Sequence, residues 1–506
     1  MMADMGSVEG STMKVGLCTY DHVVIPAMDT LDSNTVALLK EYMANGGKVY
    51  LFGKVPTRVD GRKADLSWLQ STCGFEDLQA TADLVIAKNG VNVPQLRQMV
   101  RKTENGRLFF ITNLTGECLE NVEITLRGGK GLYALDMNTL DYTLLPAVVN
   151  ENSCTVTLTF EDSEACVLVE APESAAPAEA RPVPAAIPLN GGFELTAPVE
   201  NMMTLDYAEI SYDGEHFEKP RPIILIKDML LQNRYKGKLW LKYSFNVEEK
   251  PASLHVAAEP MAYCSVAVNG KPVALDGDWW FDRSFLTVDV APYVHTGRNE
   301  VVMELDYFQR DYVYYVLYGG VSESLRNCLS FDMEIESIYL YGEFGVKTDN
   351  TKMTTEGVAC CYTGEFAIVP QKKSIDLTNV VTDGFPFFGG AIEAKTVYNY
   401  TPGAPTELVI TGRCSVCDVT VNGTFAGRLL FKQHMDLSAY LQEGENTIAL
   451  KLYNANRNLL GPHHYIQAEP LSVGPTTFSL ESQWKDEQCP NYADRYAFVR
   501  FGIDCE

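Results

Sequence analysis

Ser265-Val266-Ala267-Val268-Asn269-Gly270-Lys271 leads to Val288-Asp289-Val290-Ala291-Pro292-Tyr293-Val294 and then to Thr296-Gly297-Arg298-Asn299-Glu300-Val301-Val302-Met303-Glu304-Leu305. The chain contains this stretch a second time. Asp418-Val419-Thr420-Val421-Asn422-Gly423-Thr424 leads to Met435-Asp436-Leu437-Ser438-Ala439-Tyr440-Leu441 and then to Glu443-Gly444-Glu445-Asn446-Thr447-Ile448-Ala449-Leu450-Lys451-Leu452. Each copy reads as a strand, an Asn-Gly turn, a short Asp-containing segment ending near a Tyr, a Gly-x-Asn turn and an alternating strand. Asn269-Gly270 and Asn422-Gly423 are structural turn residues, because a two-residue hairpin needs positive φ at both central positions. Two copies imply two modules of one β fold.

Outward from the repeat, Met203 to Tyr207, Glu209 to Tyr212 and Leu239 to Phe245 read as strands opening the first module, and Ser337 to Gly345 closes it. The second module opens on Gly384-Phe385-Pro386-Phe387-Phe388-Gly389-Gly390 and reaches Asn458-Leu459-Leu460-Gly461-Pro462-His463-His464. Residues 171–188 hold five prolines and seven alanines, the composition of a semi-rigid linker. Before it, Leu108 to Ile111, Val122 to Leu126, Thr155 to Phe160 and Cys166 to Val169 read as strands of a small β-sandwich, and Pro94 suggests a helix over 93–102. At the start, Tyr20 to Pro26 reads as a strand, Thr30 to Ala44 as a helix stopped by Gly46-Gly47, and Lys48 to Gly53 as a strand parallel to the first.

The expected fold class is therefore mainly β: a partial α/β unit over 1–75, a β-sandwich over 76–170, a linker over 171–188, and jelly rolls over 189–347 and 348–506. Taken together, the repeat and the motifs at 203–207, 337–345, 384–388 and 458–464 resemble the C-terminal half of large bacterial glycoside hydrolases. The types are the α-L-rhamnosidase-like enzymes and the family-two, β-galactosidase-like enzymes with sugar-binding jelly rolls. The 20–53 segment resembles the end of the glutamine-amidotransferase-like domain that follows the barrel in several glycosidase families. That resemblance implies a non-catalytic unit, and Cys18 lies in no strand-to-helix elbow that would make it a nucleophile.

The 506 residues are 46 % hydrophobic, enough for several cores, and 41 Lys+Arg against 66 Asp+Glu give a net charge of −25. Such a surface repels nucleic acid and anionic membranes. With no apolar run of spanning length and no signal-like start, the expected location is cytoplasmic. Thirteen cysteines, an odd number, fit reduced thiols. Cys414 and Cys417 have knuckle spacing but no second pair, so no metal and no cofactor is implied.

Glycosidases need two carboxylates roughly 5 to 10 Å apart on a rigid frame, and in the resembling families that frame is a barrel of about 250 residues. One strand-helix-strand unit is not a barrel, so no catalytic residue is assigned. Asp206, Asp282 and Glu343 read as turn, cap or edge residues. Carbohydrate binding needs aromatic platforms beside polar groups, which makes Trp279, Trp280, Asp282, Arg283 and Trp484 the candidates. The run Tyr307, Phe308, Tyr312, Tyr314, Tyr315, Tyr318 reads as a sandwich edge or interface. His463 and His464, read as strand neighbours, face opposite ways and serve a turn. The expectation is an ancillary, carbohydrate-binding or scaffold portion of a glycoside hydrolase, forming homo-oligomers or associating with a catalytic barrel. The alternatives are an active glycosidase using a barrel supplied elsewhere, and an assembly protein without glycan binding.

Overall fold

The computed structural model describes residues 2–71, 78, 81–104, 106–137, 139–176, 185–189, 192–259, 263–414, 416–430, 434–469, 478 and 484–504. The chain is mainly β, built almost entirely from antiparallel sheets. It divides into two units, Met1–Ala180 and Arg181–Glu506. Among the described residues no helix is long and apolar enough to cross a membrane.

In the first unit, β1 (His22–Ile25), α1 (Ser33–Ala44) and β2 (Lys48–Leu51) form the expected parallel unit, with His22 opposite Lys48 and Ile25 opposite Leu51. Gly46 ends α1 with φ 87°. Gly47 has no room for a side chain, since a Cβ there would lie 2.4 Å from the Tyr42 ring. A two-sheet sandwich follows, its core filled by alternating residues such as Phe109, Ile111, Val122, Ile124, Val156 and Leu168. The helix expected over 93–102 is instead strand Leu96–Thr103, paired along its whole length with Gly106–Asn113. Pro94 is a local signal only; eight residues of continuous ladder satisfy far more backbone than a short helix burying little beyond Leu96.

In the second unit the first repeat lies between two sheets. One contains β3 (Asn201–Leu205), β6 (His255–Ala258), β8 (Asp282–Asp289) and β10 (Ile338–Gly342). The other contains β4 (Tyr207–Ser211), β5 (Gly237–Val247), β7 (Ser265–Val268) and β9 (Gly297–Tyr307). Helix α2 (Ile223–Gln232) follows β4. Asp311–Tyr318 is helix α3 and not a sheet edge; Val313, Tyr314 and Val316 turn inward at helical spacing, while Tyr312, Tyr315 and Tyr318 are exposed. The second repeat builds a six-stranded sheet around β12 (Gly390–Tyr400), β13 (Val416–Val421), β14 (Thr424–Leu430) and β15 (Gly444–Asn454). Strand β11 (Ala359–Tyr362) pairs with β16 (Tyr496–Val499) near the C-terminus.

The modules are interleaved. Phe193–Leu195 pairs with β12, Ala367–Val369 pairs in parallel with β5, and both repeats contribute to one continuous core.

The repeated motif has a physical cause visible in both copies. Asn269 and Asn422 take φ values of 49° and 51°, followed by Gly270 and Gly423 at 73° and 79°, the geometry of a type I′ turn. Each turn Asn reaches a buried Asn of the Gly-x-Asn segment: Asn269 Nδ2 donates to Asn299 Oδ1 and Asn422 Nδ2 to Asn446 Oδ1, both at 2.8 Å. The buried amides then close their own loops. His295 N donates to Asn299 Oδ1 and Gln442 N to Asn446 Oδ1, while the side-chain nitrogens donate to His295 O and Gln442 O. Replacing Asn446, which is fully buried, by Ala strands these groups without water, and the expected loss is about 2 kcal/mol. Asn422→Ala, at an exposed position, should lose less than half of that. Urea midpoints of the two variants check the ranking.

Candidate functional site: a cleft over a buried aspartate

Asp206 occupies the corner at which the chain leaves β3 in one sheet for β4 in the other. It is buried, not a surface turn or edge residue as expected from sequence. His464 Nε2 lies 2.9 Å from Asp206 Oδ2, and Tyr496 Oη donates to Asp206 Oδ1 at 2.6 Å. His463 Nδ1 is 3.8 Å from the same Oδ2, and its Nε2 donates to Asn458 O at 2.7 Å. The two histidines therefore do not diverge. They lie in no strand of the structure, so the period-two alternation that predicted opposite faces does not operate, and both rings turn toward Asp206.

Both ring nitrogens of His464 face acceptors, Asp206 Oδ2 and, at 3.2 Å, Ala493 O. Only the imidazolium donates from both nitrogens at once, and in that form His464 is a buried ion-pair partner of Asp206. Burial pushes the Asp206 carboxyl upward, but the charge and hydrogen bond of His464 overcome it and hold the group below its ordinary value. Burial drives His463 the other way, down to about 4 against the pull of Asp206, so this ring is neutral at pH 7. Burial first and Asp206 second raise Tyr496 well above the ordinary tyrosine range.

A second tier extends the network. Tyr207 Oη donates to Asp494 Oδ1 at 2.5 Å and meets Tyr492 Oη at 2.6 Å. Trp484, a candidate platform, is half-buried, with its ring 5.1 Å from that of Tyr492 and its Nε1 donating to Phe478 O. Above these groups opens a cleft of about 520 Å³. Aromatic residues Tyr207, Phe366 and Tyr496 line it, together with Glu209, Lys242, Glu365, Asp494 and Arg495. Glu209 bonds Lys242 at 2.7 Å and Arg298 at 2.6 Å, and Arg495 bonds Glu356.

The other sequence candidates lie elsewhere in the unit. Trp279 is 58 % exposed, while Trp280 is 8 % exposed and stacks on Tyr341 at 4.6 Å, the alternation expected of neighbours on a strand. Asp282 and Arg283 are exposed, and Asp282 Oδ1 accepts from Ser284 N. Asn269, Gly270, Asn422 and Gly423 form the two turns described above. Cys417 is buried in β13, and Cys414 Sγ donates to Val416 O. Burial raises the Cys414 thiol to about 11. No group of three metal-ligating side chains occurs among the described residues.

Sequence reading missed the network's tyrosines, Tyr207, Tyr492 and Tyr496, because no spacing connects residues some 290 positions apart. The available signal was an Asp between two strongly apolar strands, a position where an unpaired carboxylate is costly.

A separate carboxylate is notable. Glu336 has a buried Oε1 with no hydrogen-bond partner. Burial, with Glu259 and Glu334 nearby, raises it to about 7 against the opposing charge of Lys227.

No protein-family profile matches the chain, and no curated protein does. Solved structures with partial likeness include glycoside hydrolases. The rhamnosidase from Novosphingobium sp. PP1Y is 14 % identical with a TM-score of 0.26, over 67 % of this chain and 35 % of its own. The apo exo-carrageenase GH42 from Bacteroides ovatus is 14 % identical with a TM-score of 0.22, over 31 % and 22 %. The Ruminococcus gnavus β-glucuronidase in complex with uronic isofagomine is 12 % identical with a TM-score of 0.20, over 52 % and 40 %. The chain spans about a third of the length of that rhamnosidase.

Proposed function

We propose that this chain is a non-catalytic, carbohydrate-binding portion of a glycoside hydrolase, working beside a catalytic barrel, with the cleft over Asp206 as its glycan seat. The observation that carries the reading is the state of the three cleft carboxylates other than the exposed Glu365. Asp206 is held by His464 and Tyr496, Glu209 by Lys242 and Arg298, and Asp494 by Tyr207. A glycosidase needs one carboxyl kept protonated as an acid and a second free to attack or to activate water. Carboxylates fixed by donors are suited to accepting hydrogen bonds from sugar hydroxyls, and the aromatic walls suit the apolar face of a pyranose.

Glu365 on the cleft rim is exposed. Glu365→Gln is expected to weaken glycan binding by roughly three- to tenfold, about 1 kcal/mol, with no change in melting temperature. Calorimetric titration with oligosaccharides checks it. Hydrolysis of an aryl glycoside by the purified chain, abolished by one carboxylate substitution, would overturn the non-catalytic reading.

A further inference from the structure

A second cleft, of about 330 Å³, lies where the two modules of the second unit meet. Phe281, on the turn between Trp279–Trp280 and β8, lines it from the first module. Its φ is 59°, a left-handed conformation that a bulky side chain resists. The ring is nevertheless 38 % exposed, so it is held in an unfavourable backbone state without the compensation of full burial. Strain of this kind persists where the surroundings impose it, and it collects at ligand sites.

The rest of the cleft is equipped to hold a polar ring. From the first module comes Glu200, whose Oε1 accepts from Trp280 Nε1 at 2.9 Å. Trp280 is fixed in turn by stacking on Tyr341, which stacks on His255 at 4.8 Å. From the second module come Glu393 and Lys451, directly opposite each other on β12 and β15. Among the described residues they form no ion pair with each other; both line the cleft, and the Lys451 ammonium lies 5.6 Å from the Tyr453 ring. Gly390, with φ 95°, lies beneath the tip of the Phe281 ring, and a Cβ on it would be 4.0 Å from Phe281 Cζ.

We infer that this inter-module cleft is a second saccharide site that takes one uncharged pyranose ring, with Phe281 as its platform and Glu200, Glu393 and Lys451 bonding its hydroxyls. An apolar wall beside a few fixed polar groups of both signs recognises a ring with C–H faces and hydroxyl edges. Two carboxylates and one ammonium leave the lining with one net negative charge, which disfavours an anionic sugar, while acceptors and a donor together suit the hydroxyls of a neutral ring. Trp280 is a positioning residue, acting through Glu200. The inference rests on reading this unit as glycan-binding but concerns a site separate from the cleft over Asp206.

The test is calorimetric titration of the full chain with a panel of neutral methyl hexopyranosides, repeated on Phe281→Gly, Lys451→Met and Glu365→Gln. Two binding sites are expected. Phe281→Gly should weaken one of them at least tenfold while the melting temperature holds or rises, because glycine adopts the same φ without strain. Lys451→Met should weaken that same site and leave the other unchanged. Binding by Phe281→Gly that matches the parent overturns the inference. If only Glu365→Gln loses binding, the second site falls and the larger cleft stands. If only Phe281→Gly and Lys451→Met lose it, the larger cleft falls and the second site stands. A parent chain that binds no glycoside overturns both.

Discussion

Asp206→Ala is expected to cost the protein about 3 to 5 kcal/mol of stability, the range for removing one partner of a buried ion pair. The substitution leaves the His464 ring with a donor facing an empty, buried site, and it removes the acceptor of Tyr496 Oη. It also uncouples the corner between β3 and β4 from the C-terminal strand β16. The isosteric Asp206→Asn keeps the volume and one acceptor oxygen, so its loss should be smaller, about 2 to 3 kcal/mol. Urea titration of the full chain measures both. A loss below about 1 kcal/mol for the alanine variant would mean that the network carries no net coupling.

The second large effect is a change in pH dependence at Glu336. Its folded pKa of about 7 stands above the ordinary 4.5 because of burial and then of Glu259 and Glu334. Between these values the folded chain binds more protons than the unfolded one. The stability this group contributes is therefore complete below pH 4.5 and lost as pH rises through 7. His463 does the reverse: its folded value of about 4 lies below the ordinary 6.5, so its contribution is complete above 6.5 and lost as pH falls toward 4. Each shift corresponds to roughly 3 kcal/mol, and from pH 4.5 to 6.5 the two slopes oppose each other. Glu336→Gln removes one. The variant is expected to exceed the parent by about 2 to 3 kcal/mol at pH 8, and to show the rising acid limb that Glu336 conceals in the parent. Stability measured from pH 4 to 8 checks this, and parallel profiles for variant and parent would refute it.

Much of the architecture was legible because it rests on local chemistry. The Asn-Gly turns demand positive φ, the flanking strands alternate, and Gly46-Gly47 must end α1, so the mainly β class and the parallel unit around α1 follow from short windows of sequence. The errors arose where a local signal competed with distant partners. Pro94 pointed to a helix, but the strand opposite it decided the outcome. The tyrosines at 312, 315 and 318 looked like an edge because aromatic residues favour strands, whereas the buried Val313 and Val316 at helical spacing set α3. At the site, Trp280 could be read as one of an alternating pair. Asp206 could not be joined to His464 by any rule of spacing, since their contact is created only when the C-terminal segment folds back onto the first module. Phe281 escaped notice for a different reason: its importance lies in a backbone angle, which composition and periodicity do not encode.

The interleaving of the two modules bears on how such a chain can change over generations. Phe193–Leu195 lies in sequence before the first repeat and pairs with the sheet of the second, while Ala367–Val369 lies between the repeats and pairs with β5 of the first. The two repeats thus form a single structural block. Recombination at the repeat boundary would hand each descendant a sheet lacking a strand and half of the Asp206 network. The two repeat-bearing sheets are expected to be inherited, lost or shuffled between proteins only together.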